Sequence, residues 1–189
     1  MNRSRQGAGA PPSPPPRIRL GVSRCLLGDA VRFDGGHKRD RYVTDVLGEY
    51  FDWVPVCPEV EIGLPVPRPP IRLVRIDGAI RVRGVRDATL DVTDDLNGLY
   101  ERGADRFSGI SGFLLKRGSP SCGMERVKVY DEAGRSVGTD AGRFAAALQR
   151  ARPNLPIEEE GRLNDPRLRE NFITRVFAYA RWQALRSVP

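Results

Sequence analysis

The sequence predicts an α/β fold: a mainly parallel sheet with helices on both faces, a disordered Pro-rich N-terminal tail and a C-terminal helix. Three observations predict it. Short apolar runs alternate with segments whose apolar residues recur every three or four positions, the rhythm of strand–helix–strand crossover units. Gly-, Pro- and Asp-rich turns separate these segments. Residues 1–16 contain Gln-Gly-Ala-Gly-Ala-Pro-Pro-Ser-Pro-Pro-Pro, which cannot bury apolar surface.

Each element follows from its local pattern. Residues 18–22 read as a strand ending at Ser23, and Cys25-Leu-Leu-Gly28 then turns. Residues 33–40 form a loop, because Asp34-Gly35-Gly36 is turn chemistry. Residues 42–51 read as a helix with Val43, Val46, Leu47 and Tyr50 on one face. Residues 53–56 form a second short strand. Residues 57–70 hold too many prolines for a helix or a central strand and predict a stiff irregular loop. Residues 73–76 and 80–83 flank Asp77-Gly78, a hairpin signal. Thr93 is the N-cap candidate of a helix running to about Phe107, with Leu96, Leu99, Tyr100 and Ala104 as its buried face.

Residues 110–116 form the third core strand and run into Arg117-Gly-Ser-Pro-Ser-Cys122-Gly123. Residues 127–130 and Gly138-Thr139 flank another turn. Residues 142–152 read as an alanine-rich helix and 153–157 as an edge strand. Asp165 caps a final helix with Pro166 at its first position. Its apolar face is Leu168, Phe172, Val176, Tyr179 and Ala180. The expected division is a tail over 1–16, an α/β domain over 17–160 and a helical extension over 161–189.

Composition narrows the function. A chain of 189 residues with 40% hydrophobic and 29% charged residues is ordinary globular material, long enough for one core. There is no membrane-length apolar run and no signal-peptide pattern, so the expected compartment is cytoplasmic and no membrane partner is expected. In that compartment thiols stay reduced and serve as ligands or catalysts more often than as cross-links. The 31 Lys and Arg against 24 Asp and Glu give a net charge of +7. That balance reflects either an Arg-rich composition in general or affinity for phosphate in a nucleotide or an RNA.

The three cysteines carry the most information. Cys25, Cys57 and Cys122 each sit in a turn after a predicted strand. In a parallel sheet, ligands gather outside the carboxyl ends of the strands, so all three thiols belong on one edge. Four readings stand. An iron–sulfur cluster with three thiolates keeps one iron without a protein ligand, free to act as a Lewis acid. Zinc could take the three thiolates with water or His37 as fourth ligand, although no close Cys-x-x-Cys pair is present. A single Cys could act as nucleophile with His37, the only histidine. The cysteines could also be inert and buried.

Four motifs then identify a resemblance. Ser23-Arg-Cys-Leu-Leu-Gly28, Arg32-Phe-Asp-Gly-Gly36, Val56-Cys-Pro-Glu59 with Gly63-Leu-Pro-Val-Pro-Arg-Pro-Pro70, and Lys116-Arg-Gly-Ser-Pro-Ser-Cys-Gly123 occur in that order. Together they resemble the thiouracil desulfidase family, formerly a domain of unknown function, from about Arg17 to about Glu160. The resemblance implies a [4Fe-4S] cluster held by Cys25, Cys57 and Cys122. It implies non-redox removal of sulfur, as hydrogen sulfide, from thiouracil, 4-thiouridine or its monophosphate, with tRNA a further possible partner. Residues 162–177 resemble the junction to a second helical domain in longer relatives. The rival expectation is a zinc- or cluster-stabilised RNA-binding module without catalysis. Oligomeric state is open.

Under this resemblance, Glu59 beside Cys57 is the expected base for water, with Glu61 a weaker candidate. Ser119 is the second expected catalytic residue and Ser121 shapes the loop or contacts substrate. Ser23 could bond the cluster or the substrate. Backbone amides of Asp34, Gly35 and Gly36 could approach the ring or a phosphate. Arg68, pinned between Pro67 and Pro69, could clamp a phosphate or pair with a carboxylate. His37 faces solvent or a phosphate.

Overall fold

A computed structural model describes residues 17–186. The expected Pro-rich tail over residues 1–16 lies outside the described residues. In chain order the strands and helices are β1 (Ile18–Ser23), β2 (Phe51–Val56), α1 (Pro58–Glu61), β3 (Ile71–Ile76) and β4 (Ala79–Gly84). They continue with α2 (Thr93–Arg102), β5 (Ile110–Leu115), β6 (Val127–Tyr130), β7 (Ser136–Asp140), α3 (Arg143–Ala151), β8 (Ile157–Glu159) and α4 (Pro166–Arg186).

The first sheet is parallel throughout, with strand order β2-β1-β5-β8. All six residues of β5 are buried, as a central parallel strand covered on both faces must be. Phe113 and Leu115 face α2 and α3, where Tyr100 and Phe144, with Phe107 from the turn after α2, complete an aromatic core. Leu114 faces the opposite side, where Leu20, Phe172 and Val176 pack. Close approach is built in by glycine. A side chain at Gly21 would meet the Phe113 ring at 2.3 Å, and one at Gly112 would meet Val176 at 2.8 Å. Helix α4 is therefore part of the sheet's own core, and Asp165 caps it as expected, its Oδ1 accepting the amides of Arg167 at 2.8 Å and Leu168 at 3.3 Å.

A second sheet, order β4-β3-β6-β7, joins two antiparallel hairpins through a parallel β3–β6 contact. The β3–β4 turn places Asp77 at φ 48° and Gly78 at φ 79°, the left-handed pair that a two-residue hairpin requires. Leu73, Val82, Val92, Leu96 and Val129 form its core. The sequence showed the hairpin and turn signals but not that they assemble into a separate sheet.

Other expectations are corrected. Residues 42–51 are not an α-helix. A π-helical turn over Tyr42–Val46 passes into a 3-10 turn over Leu47–Glu49. The 3.6-residue period is lost, so Val43 and Leu47 are buried while Val46 and Tyr50 are exposed. Helix α2 stops at Arg102 before Gly103, leaving Ala104 exposed. Thr93 is its first residue instead of its cap, held by Asp91, whose Oδ1 accepts both its amide and its hydroxyl. The irregular loop after Cys57 contains a helical turn, because Pro58 at the first position lacks only an N–H that would be unpaired anyway. The edge strand begins at Ile157, after Pro156.

Candidate metal centre

The parallel sheet delivers all three cysteines to the carboxyl ends of its strands. Cys25 lies in a 3-10 turn over Arg24–Leu27 immediately after β1, closed by Gly28 at φ 106°. Its carbonyl accepts the Lys38 amide at 2.9 Å, lacing the 33–40 loop onto this turn. Cys57 follows β2 directly and precedes α1. Cys122 arrives by the loop after β5. There Ser119 Oγ accepts the amides of Ser121 at 3.2 Å and Cys122 at 3.1 Å. The carbonyls of Pro120 and Ser121 accept the amides of Arg143 and Ala145, which docks the loop on the start of α3.

The three thiols line one cavity of about 280 Å³, together with Ser23, Glu59, Arg68 and Ser119. Cys25 and Cys122 are buried and Cys57 partly so. Burial, reinforced by the neighbouring Cys57, pushes the Cys25 thiol up to about 11. Burial likewise raises Cys57, and raises Cys122 well above the ordinary thiol range despite a hydrogen bond with Ser23. Cys25 and Cys57 both add repulsion at Cys122, so the trio forms one electrostatic unit. Among the described residues, no three His, Cys, Asp or Glu side chains gather closely enough to hold a single ion. The three thiols share the lining of this cavity.

Glu59 projects from α1 into this cavity. Its Oε2 accepts from Arg68 Nε at 2.8 Å and its Oε1 from the Ser121 hydroxyl at 2.9 Å. Arg68 is buried and spends its remaining reach inside the protein. It donates to the Pro65 carbonyl at 3.1 Å and to the Val31 carbonyl at 2.9 Å. The Cys57 thiol points at the same Val31 oxygen, 3.6 Å away.

The other expected residues take varied places. Ser119 is on the cavity wall, with its oxygen accepting two loop amides. Ser121 is fully buried behind Glu59 and does not line the cavity. Ser23 lines it, and its hydroxyl accepts the Lys116 amide at 2.9 Å. Asp34, Gly35 and Gly36 form a turn outside the lining, where Asp34 Oδ1 accepts the Gly36 amide at 3.0 Å. His37 is exposed and accepts the Arg39 amide. Glu61 turns away to pair with Arg106 at 2.7 Å.

Sequence reasoning missed a ring of cations. Arg24, Arg32, Lys38, Lys116 and Arg117 line the cavity around the thiols. Lys116 pairs with Glu160, just beyond β8 on the same sheet edge. The available signal was position: Arg24, Arg32, Lys116 and Arg117 stand inside the quoted motifs, and Lys38 follows Gly36 by two residues. Basic groups here offset the charge of thiolates or of an anionic ligand.

Residues 20–160 of the chain match the family described as 2-thiouracil desulfurase. A Bacillus subtilis (strain 168) protein described as uncharacterized protein YbbK is 29% identical over 150 residues, which span 76% of this chain and 97% of that protein. A solved structure described as [4Fe-4S]-dependent thiouracil desulfidase TudS (DUF523Vcz) matches with a TM-score of 0.62 at 32% identity, covering 84% of this chain and 99% of that one. No helix among the described residues is long and apolar enough to cross a membrane.

Proposed function

The chain belongs to the 2-thiouracil desulfurase family, and from that premise we propose that its cavity holds a [4Fe-4S] cluster through Cys25, Cys57 and Cys122 and removes sulfur from a thiolated uracil. The single observation that carries this reading is the joint presence of three thiols and Glu59 on one cavity wall at the carboxyl edge of the parallel sheet.

The donor set fits the cluster. Three soft thiols lining one cavity suit an iron–sulfur cluster, and the sequence holds no close Cys-x-x-Cys pair of the kind zinc sites use. No fourth cysteine exists, and the only histidine does not line the cavity. When bound, such a cluster would supply an iron without a protein ligand, a Lewis acid for the thiocarbonyl sulfur.

The chain's own residues supply the rest. Glu59 is the base: its carboxylate accepts a proton from the water that adds to the ring carbon. Arg68 and Ser121 hold each carboxylate oxygen by one hydrogen bond, fixing its orientation while leaving acceptor capacity toward the cavity. The Ser119 oxygen is occupied by two amides, so its own proton is free to be donated into the cavity. Ser23 and the cationic ring orient the substrate. The balance is thiocarbonyl plus water to carbonyl plus hydrogen sulfide, without net oxidation or reduction. Candidate substrates are free thiouracil, 4-thiouridine, its monophosphate and thiolated tRNA.

The test is anaerobic reconstitution with iron and sulfide, followed by turnover of these substrates side by side with a sulfide assay. A brown protein with about four irons per chain that converts thiouracil to uracil is expected. A colourless protein carrying one zinc and no turnover would overturn the reading.

A further inference from the structure

A second groove adjoins the reactive cavity. It is lined by residues of β3 and β6, among them Arg72, Lys128 and Tyr130, together with Arg126, Gly118 and Pro120. Gly118 and Pro120 also line the cavity that holds the three thiols. The two depressions are thus contiguous across the turn that leads to Cys122.

The groove has aliphatic walls of Ile71, Leu73, Val85 and Val127, and its polar groups are cationic with one aromatic ring. Arg72, Arg126 and Lys128 line it and no acidic residue does. The Arg72 guanidinium lies 5.2 Å over the Tyr130 ring, forming a flat charged platform. Its Nε is buried without a hydrogen-bond partner, although a buried donor left unpaired is costly. Among the described residues the acidic partner of Arg126 is Glu125 alone, at 3.5 Å and itself half-exposed. A ligand that completes this site brings acceptor oxygens for the cations and a planar group for the platform. A nucleotide has both.

We propose that this groove binds the nucleotide next to the one being desulfurated, so that the substrate is a thiolated segment of single-stranded RNA and not only a free base. This rests on the desulfidase reading for the reactive cavity. A phosphate meets Arg126, Lys128 and Arg72, and the adjacent base stacks on the Arg72–Tyr130 platform. The thiolated base enters the neighbouring cavity over Gly118 and Pro120.

The experiment uses the cluster-loaded protein and a fluorescein-labelled octauridylate, with binding read by anisotropy at two salt concentrations. One phosphate neutralised on a single strand predicts about a fivefold loss of affinity for a tenfold rise in salt. The R72Q/K128Q double variant is expected to bind at least about tenfold more weakly with a shallower salt dependence. Y130A is expected to weaken binding about fivefold or more with the salt dependence kept. Both variants should turn over free thiouracil like the unmodified protein. Thermal unfolding checks that they remain folded. Equal binding by all three proteins, or salt-insensitive binding, overturns the proposal. Absence of thiouracil turnover in the unmodified protein overturns the desulfidase reading instead, and the binding arm still decides whether the groove takes RNA.

Discussion

Arg68 and Glu59 form a buried ion pair on the wall of the thiol cavity. Arg68 Nε lies 2.8 Å from Glu59 Oε2, and the two side chains are only 3% and 13% exposed. The pair joins α1, which follows Cys57, to the proline-rich loop, and a further bond to the Val31 carbonyl ties in the loop after Cys25. Two cysteine-bearing segments are thereby braced by one guanidinium.

Removing either partner has different consequences. Arg68→Met leaves a carboxylate buried without its cation and should cost about 3–5 kcal/mol of stability. Glu59→Gln keeps an acceptor for Ser121 and the overall shape. It should lower kcat by about 100- to 10,000-fold while iron content stays that of the unmodified protein. Full activity in Glu59→Gln would remove Glu59 from the role of base. Chemical denaturation and iron analysis on the same preparations separate the two effects.

The three cysteines should be equivalent for cluster retention. Cys25→Ser, Cys57→Ser and Cys122→Ser are each expected to lose most of the iron bound after anaerobic reconstitution, because a hydroxyl replaces a soft thiolate. Iron and sulfide analysis with visible absorption reads the result. A variant that keeps the full complement would mark that cysteine as a non-ligand.

Gly21 tests the packing that brings the strands together. A methyl group there would sit 2.3 Å from the Phe113 ring at the centre of the sheet. Gly21→Ala should destabilise the protein by about 1–3 kcal/mol, as overpacking does. Thermal melting should show a clear fall in Tm.

Asp91 gives a pH dependence with a definite sign. Partial burial raises its pKa, but hydrogen bonds from Arg81 and Thr93 outweigh this and hold the carboxyl well below the usual range. Arg83 adds a third contact, at 2.8 Å. A group depressed in the folded state contributes stability that is present above its unfolded pKa and lost as pH falls through the folded value. Asp91→Asn should therefore be less stable than the unmodified protein at pH 7, with the gap closing as pH drops from about 5 toward about 2. A gap that stays constant across this range would show that Asp91 contributes by shape alone.

Much of this was legible along the chain because it is local. The Asp77-Gly78 turn, the Asp165 cap and the strand ends before Cys25 and Cys57 each depend on a few neighbouring residues. The segment over residues 42–51 misled because the pattern of Val43, Val46, Leu47 and Tyr50 matches a helix that the backbone does not maintain. Proline on both sides of Arg68 suggests a rigid display but leaves open whether the guanidinium clamps a phosphate or pairs with a carboxylate. Folding turns its guanidinium inward to Glu59 and two carbonyls. Ser121 and Glu59 stand 62 residues apart, and no periodicity in the sequence relates them.

The order of residues settled the family, the α/β class and the delivery of three thiols to one sheet edge, since turn chemistry and strand direction are short-range properties. Packing settled the remainder: which hydroxyl holds Glu59, where the guanidinium of Arg68 goes, and how two hairpins become a second sheet beside the cavity. Those outcomes depend on contacts between distant segments, and such contacts take shape only when the loops close around a shared core.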